Sequence, residues 1–266
     1  MGDTQYNVID LFAGCGGLSL GLYQAGWNGL FAIEKNQNAF ETLRFNLIER
    51  KKHFVWPLWL PISPLNIIDV NEKYSNQLVA LRGKVDLVAG GPPCQGFSMA
   101  GKRVEDDIRN KLVFSYIDFI DKVRPKLLSP FENSPTILTS ILWVGSFNSE
   151  ILKEKLSELG YGVYARVIDF SHYGVPQKRK RFIMVGVLGG SESDADFFFK
   201  RIDSLKQTFL KEMNLDTFCC VRDAISDLLR ENGEMDTPDR KGFQSGMYGK
   251  VNSKYERYLR SGIDKK

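Results

Sequence analysis

Val85-Asp86-Leu87-Val88-Ala89-Gly90-Gly91-Pro92-Pro93-Cys94-Gln95-Gly96-Phe97-Ser98 runs from an apolar segment straight into a proline-stiffened loop that carries a cysteine. The apolar part reads as a buried parallel strand, because a strand covered on both faces shows a continuous apolar run rather than alternation. The two prolines fix φ, so the thiol that follows them is aimed rather than mobile. Open α/β sheets do their chemistry just past the carboxyl ends of their strands, which is where Cys94 falls. A lone cysteine beside a turn is more commonly a small core hydrophobe. The residues around it in the chain decide between the two readings.

Upstream, Tyr6 to Phe12 reads as the first strand, with a glycine-rich turn and a helix from Leu18 to Ala25 behind it. Gly29 to Ile33 reads as a second strand ending in Glu34, and Asn38 to Glu49 as a helix with Ala39, Leu43 and Leu47 on one face. His53 to Asn66 is irregular, rich in Pro and Trp, and leads to a short apolar strand at Ile67-Ile68 before Asp69. Downstream, Asn110 to Val123 is a helix with Leu112, Tyr116, Phe119, Ile120 and Val123 as its apolar stripe. Lys126 to Phe131 reads as a strand, Glu150 to Leu159 as a helix, and Tyr161 to Asp169 and Phe182 to Val187 as two strands around a basic loop. Asp194 to Leu210 reads as a last helix. Alternating strands and helices predict an α/β fold with a Rossmann-like, doubly wound, mostly parallel sheet. The expected division is a catalytic and ligand-binding domain over 1–190 and a C-terminal extension over 191–266. From Asn232 onward apolar periodicity fades, and that tail is expected to pack poorly by itself.

The chain has 266 residues, 43% of them apolar, enough for one sizeable core. No apolar run reaches the length of a membrane span, and the N-terminus lacks the basic and apolar regions of a signal peptide. The cysteines Cys15, Cys94, Cys219 and Cys220 fit neither a zinc site nor a disulfide framework, so no metal and a reducing cytoplasm are expected. The net charge of +4 is modest, but Lys178, Arg179, Lys180 and Arg181 fall together, as a polyanion-binding loop would require.

Asp10-Leu11-Phe12-Ala13-Gly14-Cys15-Gly16-Gly17 is a strand, a glycine turn and a helix start. Such a turn lets backbone approach a ligand closely. Glu34, at the end of the next strand, is placed for the two hydroxyls of a ribose. Asp69, read as following a third strand, is placed for an adenine amino group. No basic residue lies in the first loop, so an adenosyl ligand suits these three positions better than a pyrophosphate does. Phe131-Glu132-Asn133 would bring a carboxyl to the same edge of the sheet as Cys94.

Taken in order, these stretches resemble the DNA (cytosine-5)-methyltransferase family. The resemblance covers residues 5 to 190 and rests on Asp10 to Gly17, Gly91 to Ser98, Asp107-Ile108-Arg109-Asn110-Lys111-Leu112, Glu132-Asn133 and Tyr173-Gly174-Val175-Pro176-Gln177-Lys178-Arg179-Lys180-Arg181. It implies S-adenosyl-L-methionine as cofactor, held by Phe12, Gly14, Gly16, Gly17, Leu18, Glu34, Asp69, Pro93 and Leu112. It implies Cys94 as nucleophile, Glu132, Arg179 and Arg181 as its catalytic partners, and Gln95, Ser98 and Gln177 as substrate contacts. The implied substrate is double-stranded DNA with one cytosine turned out of the stack, in a bacterial or phage restriction–modification setting.

Two departures stand out. Ser134 follows Glu132-Asn133 where the family has Val. After Arg181 neither the family's later Arg-containing motif nor its Gly-Asn-Ser/Ala-Val segment is found. The target-recognition domain is therefore expected from a missing C-terminal part or a complementary subunit, and the chain alone is expected to read no sequence. A tRNA substrate and an inactive cofactor-binding fragment are the alternative readings.

Overall fold

The computed structural model describes residues 6–91, 108–125, 141–145, 149–237 and 241–261. In chain order the elements are β1 (Asn7–Leu11), α1 (Gly17–Gln24), β2 (Asn28–Ile33), α2 (Gln37–Leu43), α3 (Ile67–Lys73), α4 (Ser75–Val79), β3 (Leu87–Gly90) and α5 (Ile108–Val123). They continue with β4 (Ile141–Gly145), α6 (Ser149–Glu158), β5 (Tyr161–Asp169), β6 (Lys180–Leu188), α7 (Glu192–Glu212), α8 (Val221–Ile225), β7 (Glu234–Asp236), β8 (Gln244–Gly246) and α9 (Lys254–Arg260).

Six strands form one sheet in the order β2-β1-β3-β4-β6-β5. β1 pairs in parallel with β2 and β3, β3 pairs in parallel with β4, and β6 runs antiparallel to β4. The expected mostly parallel α/β sheet is therefore present. β1 and β3 are buried almost throughout, the continuous apolar signature of strands covered on both faces. Ile9, Leu11 and Val88 pack with Tyr116, Phe119, Ile120 and Val123 of α5 in the main core. Val8, Leu87 and Ala89 pack with Leu18 and Leu22 of α1 in a separate cluster. The alternation of β1 thus sends Ile9 and Leu11 to one face and Val8 to the other.

The chain divides into two compact units, Met1–Arg166 with Phe182–Lys200, and Val167–Arg181 with Arg201–Lys266. In the second unit Tyr173 donates its hydroxyl to Asp203 at 2.9 Å and the Gly174 amide donates to Thr217 at 3.1 Å.

Three readings change. Ile67-Ile68 is not a strand. It opens α3, whose N-cap is Asn66, with the Asn66 side chain accepting from the Ile68 amide at 3.1 Å. An N-cap asparagine satisfies an orphan amide that a strand would not leave, so Asp69 stands exposed in a helix's first turn rather than at a strand end. The helix after Asn36 turns π-helical over Arg44–Arg50, a change of winding that periodicity over so few residues does not reveal. β4 is a strand the sequence reading passed over, while the expected strand over 126–131 lies outside the described residues. The tail, expected to pack poorly by itself, is tied in the full chain to residues before it: β7 and β8 form an antiparallel pair, Ser253 caps α9 in a capping box with Glu256, and Glu256 accepts the Asp227 amide at 3.0 Å.

Candidate active site

Register brings the carboxyl ends of three strands to one line. Leu11 of β1 pairs with Ile33 of β2 on one side and with Gly90 of β3 on the other. The residues that follow, Phe12, Glu34 and Gly91, therefore leave the sheet at the same edge. The next strand joins the line, with Gly90 opposite Trp143 in β4.

The turn after β1 is wound by three residues in the left-handed region: Phe12 at φ 57°, Gly14 at φ 57° and Gly16 at φ 88°. For a bulky residue such as Phe12 that conformation is strained, and strain of this kind gathers at ligand sites. A Cβ on Gly16 would come within 2.6 Å of Leu47 Cδ1 and push that side chain aside, and φ 88° would strain any residue but glycine. Gly14 and Gly17 differ: a Cβ on either would meet none of the described residues within 4 Å. Leu18 turns its side chain to the cluster on Val8, Leu87 and Ala89, so only its backbone, in the first turn of α1, faces the turn.

Glu34 fastens this turn to β2. Its carboxylate accepts the Gly14 amide at 2.9 Å and the Asn36 amide at 2.7 Å, one on each oxygen. A carboxylate has about four lone-pair sites, and the described residues fill two of them. The irregular segment returns to the same place, because the Leu65 amide donates to the Glu34 carbonyl at 2.8 Å. That bond sets Asn66 at the edge of the sheet, where the sequence reading had put Asp69. Asn66 is the edge residue that reading missed, and its helix-capping chemistry was the available signal. Leu112 is buried in the main core on α5.

At the end of β3, Gly90 has φ 118°, and a Cβ there would run into the Leu11 carbonyl oxygen. The strand that leads to the cysteine loop can therefore approach β1 only as glycine. Pro93, Cys94, Gln95, Ser98 and Glu132 lie outside the described residues.

The basic stretch belongs to the second unit. The Phe170 amide donates to the Arg179 carbonyl at 3.0 Å, closing the loop that carries Gln177, and the Gln177 amide donates to Val175 at 2.8 Å. Gln177, Lys178, Arg179 and Lys180 are exposed and Arg181 is half-buried, with its guanidinium donating to the Lys180 carbonyl at 2.8 Å. Asp169 caps the short 3-10 turn at Phe170–Tyr173 through the Ser171 hydroxyl and amide, which hold its carboxyl below the usual range.

One buried acid was not singled out in the sequence. Asp10 of β1 is 1% exposed, and the Ser19 hydroxyl donates to its Oδ2. Burial, opposed by the Ser19 hydroxyl and amide and reinforced by Glu34, pushes its pKa up to about 7.

The model for C-5 cytosine-specific DNA methylases matches residues 6–260. The chain belongs to that family. Among relatives of the chain, the type II methyltransferase M.DdeI of Desulfomicrobium norvegicum is 36% identical over 68% of the chain and 40% of its own length. M.BsuRI of Bacillus subtilis is 32% identical over 93% of the chain and 56% of its own length. The chain spans about half the length of the curated relatives it matches. A crystal structure described as a DNA modification methyltransferase encoded within an E. coli prophage superposes with a TM-score of 0.52 at 25% identity, covering 90% of the chain and 62% of that protein. Cys15, Cys219 and Cys220 are free thiols. Among the described residues no helix is long and apolar enough to cross a membrane.

Proposed function

We propose that this chain is the catalytic part of a DNA (cytosine-5)-methyltransferase that uses S-adenosylmethionine. One observation carries the reading: the Gly14–Gly17 turn, the Glu34 carboxylate and the strand that leads to Cys94 all leave the sheet at one edge. Gly14 and Gly17, clear of every described residue, and the Glu34 carboxylate beside them suit an adenosyl ligand, with hydroxyls on Glu34 and the adenine beside Phe12. Asn66 and Asp69 are both candidates for the adenine amino group. Asn66 is the better placed, one residue from a backbone bond to Glu34.

The bound cofactor would supply a methyl group made electrophilic by its sulfonium. The Cys94 thiolate would add to C6 of a cytosine turned out of the duplex, making C5 nucleophilic. Glu132 would protonate N3 as the thiolate adds, so that charge does not build up on the ring. Arg179 and Arg181 would hold the cytosine oxygen or orient Glu132, while Gln95, Ser98 and Gln177 would contact the nucleotide. After methylation, loss of the C5 proton would expel the Cys94 thiolate. On this reading residues 1–190 do the chemistry, and 191–266 lead toward the part that reads sequence, in the same chain or in a complementary subunit, inside a bacterial cytoplasm. No residue role here calls for a metal.

Trapping on duplex DNA containing 5-fluorocytosine tests this reading. Fluorine at C5 cannot leave as a proton does, so an active thiolate stays attached after methyl transfer. A covalent adduct that needs S-adenosylmethionine and disappears in C94S is expected, from the chain alone or with a complementary subunit added. No adduct under either condition would overturn the reading.

A further inference from the structure

We propose that Asp10 is a positioning residue: by holding Ser19 it keeps the Gly14–Gly17 turn in the shape that receives the cofactor. The proposal rests on the reading of that turn as an adenosyl site.

The helix that begins at Gly17 lacks an ordinary cap. Its N-cap is Gly16, which has no side chain to accept an orphan amide. Asp10 stands in for it from the preceding strand. Its Oδ2 accepts the Ser19 hydroxyl, and the Ser19 amide also stabilises its ionised form. Ser19 is the third residue of α1 and is 1% exposed. The Asp10–Ser19 bond therefore spans the whole turn, from the strand before it to the helix after it. Between these two anchors lie the three left-handed residues Phe12, Gly14 and Gly16, whose conformations hold only if the surroundings fix them.

Among the described residues Ser19 is the one hydrogen-bond partner of the Asp10 carboxyl, with Glu34 and the Tyr116 hydroxyl acting on it only through space. The neighbours of Asp10 across the sheet are Ala32 and Ala89, both fully buried. Its Oδ1 is buried and makes no hydrogen bond. A carboxyl in such a slot is unfavourable compared with an apolar side chain of the same size, so its contribution is geometric. The turn is then gripped from two sides. Glu34 takes the Gly14 amide where a ligand can reach it, and Asp10 takes Ser19 beneath, where none can. When hydroxyl groups of a ligand draw on Glu34, the buried bond keeps the helix start in place.

The test compares wild type, D10N, S19A and D10N/S19A as full chains. It measures S-adenosylhomocysteine affinity by calorimetry, the melting temperature without ligand, and amide hydrogen exchange over Gly14–Ser19 without ligand. S19A is expected to weaken S-adenosylhomocysteine about five- to tenfold while the melting temperature moves by only a few degrees. The double variant is expected to bind no more weakly than the poorer single variant, as two ends of one bond should. Exchange over the turn should rise in S19A, and by less in D10N, whose amide keeps one acceptor oxygen. Wild-type affinity and exchange in S19A and D10N would overturn the proposal and leave the adenosyl site standing. A loss of affinity that only tracks the loss of folded protein would overturn it too. Failure of the wild-type chain to bind S-adenosylhomocysteine would instead overturn the reading of the turn. Should D10N not fold, S19A, which deletes one oxygen, carries the test alone.

Discussion

In the first unit, elements meet through apolar faces. The buried residues of β1 and β3 lie between α1 on one face and the Tyr116, Phe119, Ile120 and Val123 stripe of α5 on the other. In the second unit, the C-terminal elements meet through buried charge. Glu256 of α9 is 1% exposed, and its carboxylate accepts the amides of Asp227, Asn252 and Ser253 and the Ser226 hydroxyl. Burial acts to raise the Glu256 pKa, but these donors outweigh it and hold the carboxyl below its ordinary range. Asp227, 2% exposed, pairs with Arg260, whose guanidinium also stacks 3.4 Å over the Tyr248 ring. Apolar stripes specify a face, and many residues share the work. A hydrogen-bonded carboxylate specifies a point, and its loss leaves several groups unsatisfied at once.

The largest effect expected from a single methyl group is at Gly90. Gly90→Ala puts a Cβ against the Leu11 carbonyl at φ 118°, where no flexible side chain can move aside. Destabilisation above about 4 kcal/mol is expected, seen as loss of soluble protein or a collapse of the melting temperature. A stable G90A protein would show that β3 can move away from β1, and that the apolar unit is less rigid than its register implies.

Asp10 is the exception within the apolar unit. Its carboxyl is raised to about 7 in the folded chain, against an ordinary value of 3.8. Between about pH 4 and pH 7 the folded state keeps a proton that the unfolded state has released. Stability is therefore present in full below pH 4 and falls as pH rises toward 7, by about 4 kcal/mol for a shift of this size. D10N removes the proton and should flatten that slope in a series of melts from pH 4.5 to 8. Parallel slopes for wild type and D10N would mean that Asp10 is already ionised throughout.

The second unit supplies the opposite case. Glu256→Ala leaves the amides of residues 227, 252 and 253 and the Ser226 hydroxyl without their acceptor, at a loss of about 3 kcal/mol. Faster amide exchange should appear in α8 and α9 but not in β1 or β3. Glu256→Gln, which keeps one acceptor oxygen, should fall between. Equal protection in α9 of wild type and E256A would show that apolar contacts, not the carboxylate, hold the tail.

This contrast also explains what could be read in the sequence. β1, β2 and β3 were legible because strands buried on both faces write unbroken apolar runs, and α5 because its stripe recurs at helical spacing. Ile67-Ile68 misled because two β-branched residues look like a strand, while Asn66 before them was the cap that said helix. How the tail is held in the full chain is not legible, because Glu256, Asp227 and Arg260 look like surface residues and no periodicity shows that a carboxylate has found four donors. In the site, residue type and spacing point to Glu34 and the glycines as ligand-facing, while Phe12 is singled out by the family resemblance alone. Asp10 carries its own signal in the sequence, an acid inside the apolar run Val8–Leu11.

The smallest effect tests a buried group that neither pattern accounts for. His53 is 3% exposed, lies against Phe54 and edge-on to Tyr23, and neither ring nitrogen makes a hydrogen bond. Burial lowers its pKa. A folded pKa below the ordinary 6.5 means that the unfolded chain takes the proton first. The contribution is thus present above about pH 6.5 and is lost as pH falls through that value. His53→Phe should preserve the ring contacts and remove the two orphan nitrogens. It should stabilise by about 1 kcal/mol near pH 7, and by more at pH 5.5. The sign of this slope is opposite to that of Asp10, so a D10N/H53F chain should melt almost independently of pH between 5 and 7. If H53F instead melts lower than wild type at pH 5.5, His53 holds a partner in solution, and its place between Tyr23 and Gly29 is polar rather than part of the apolar unit.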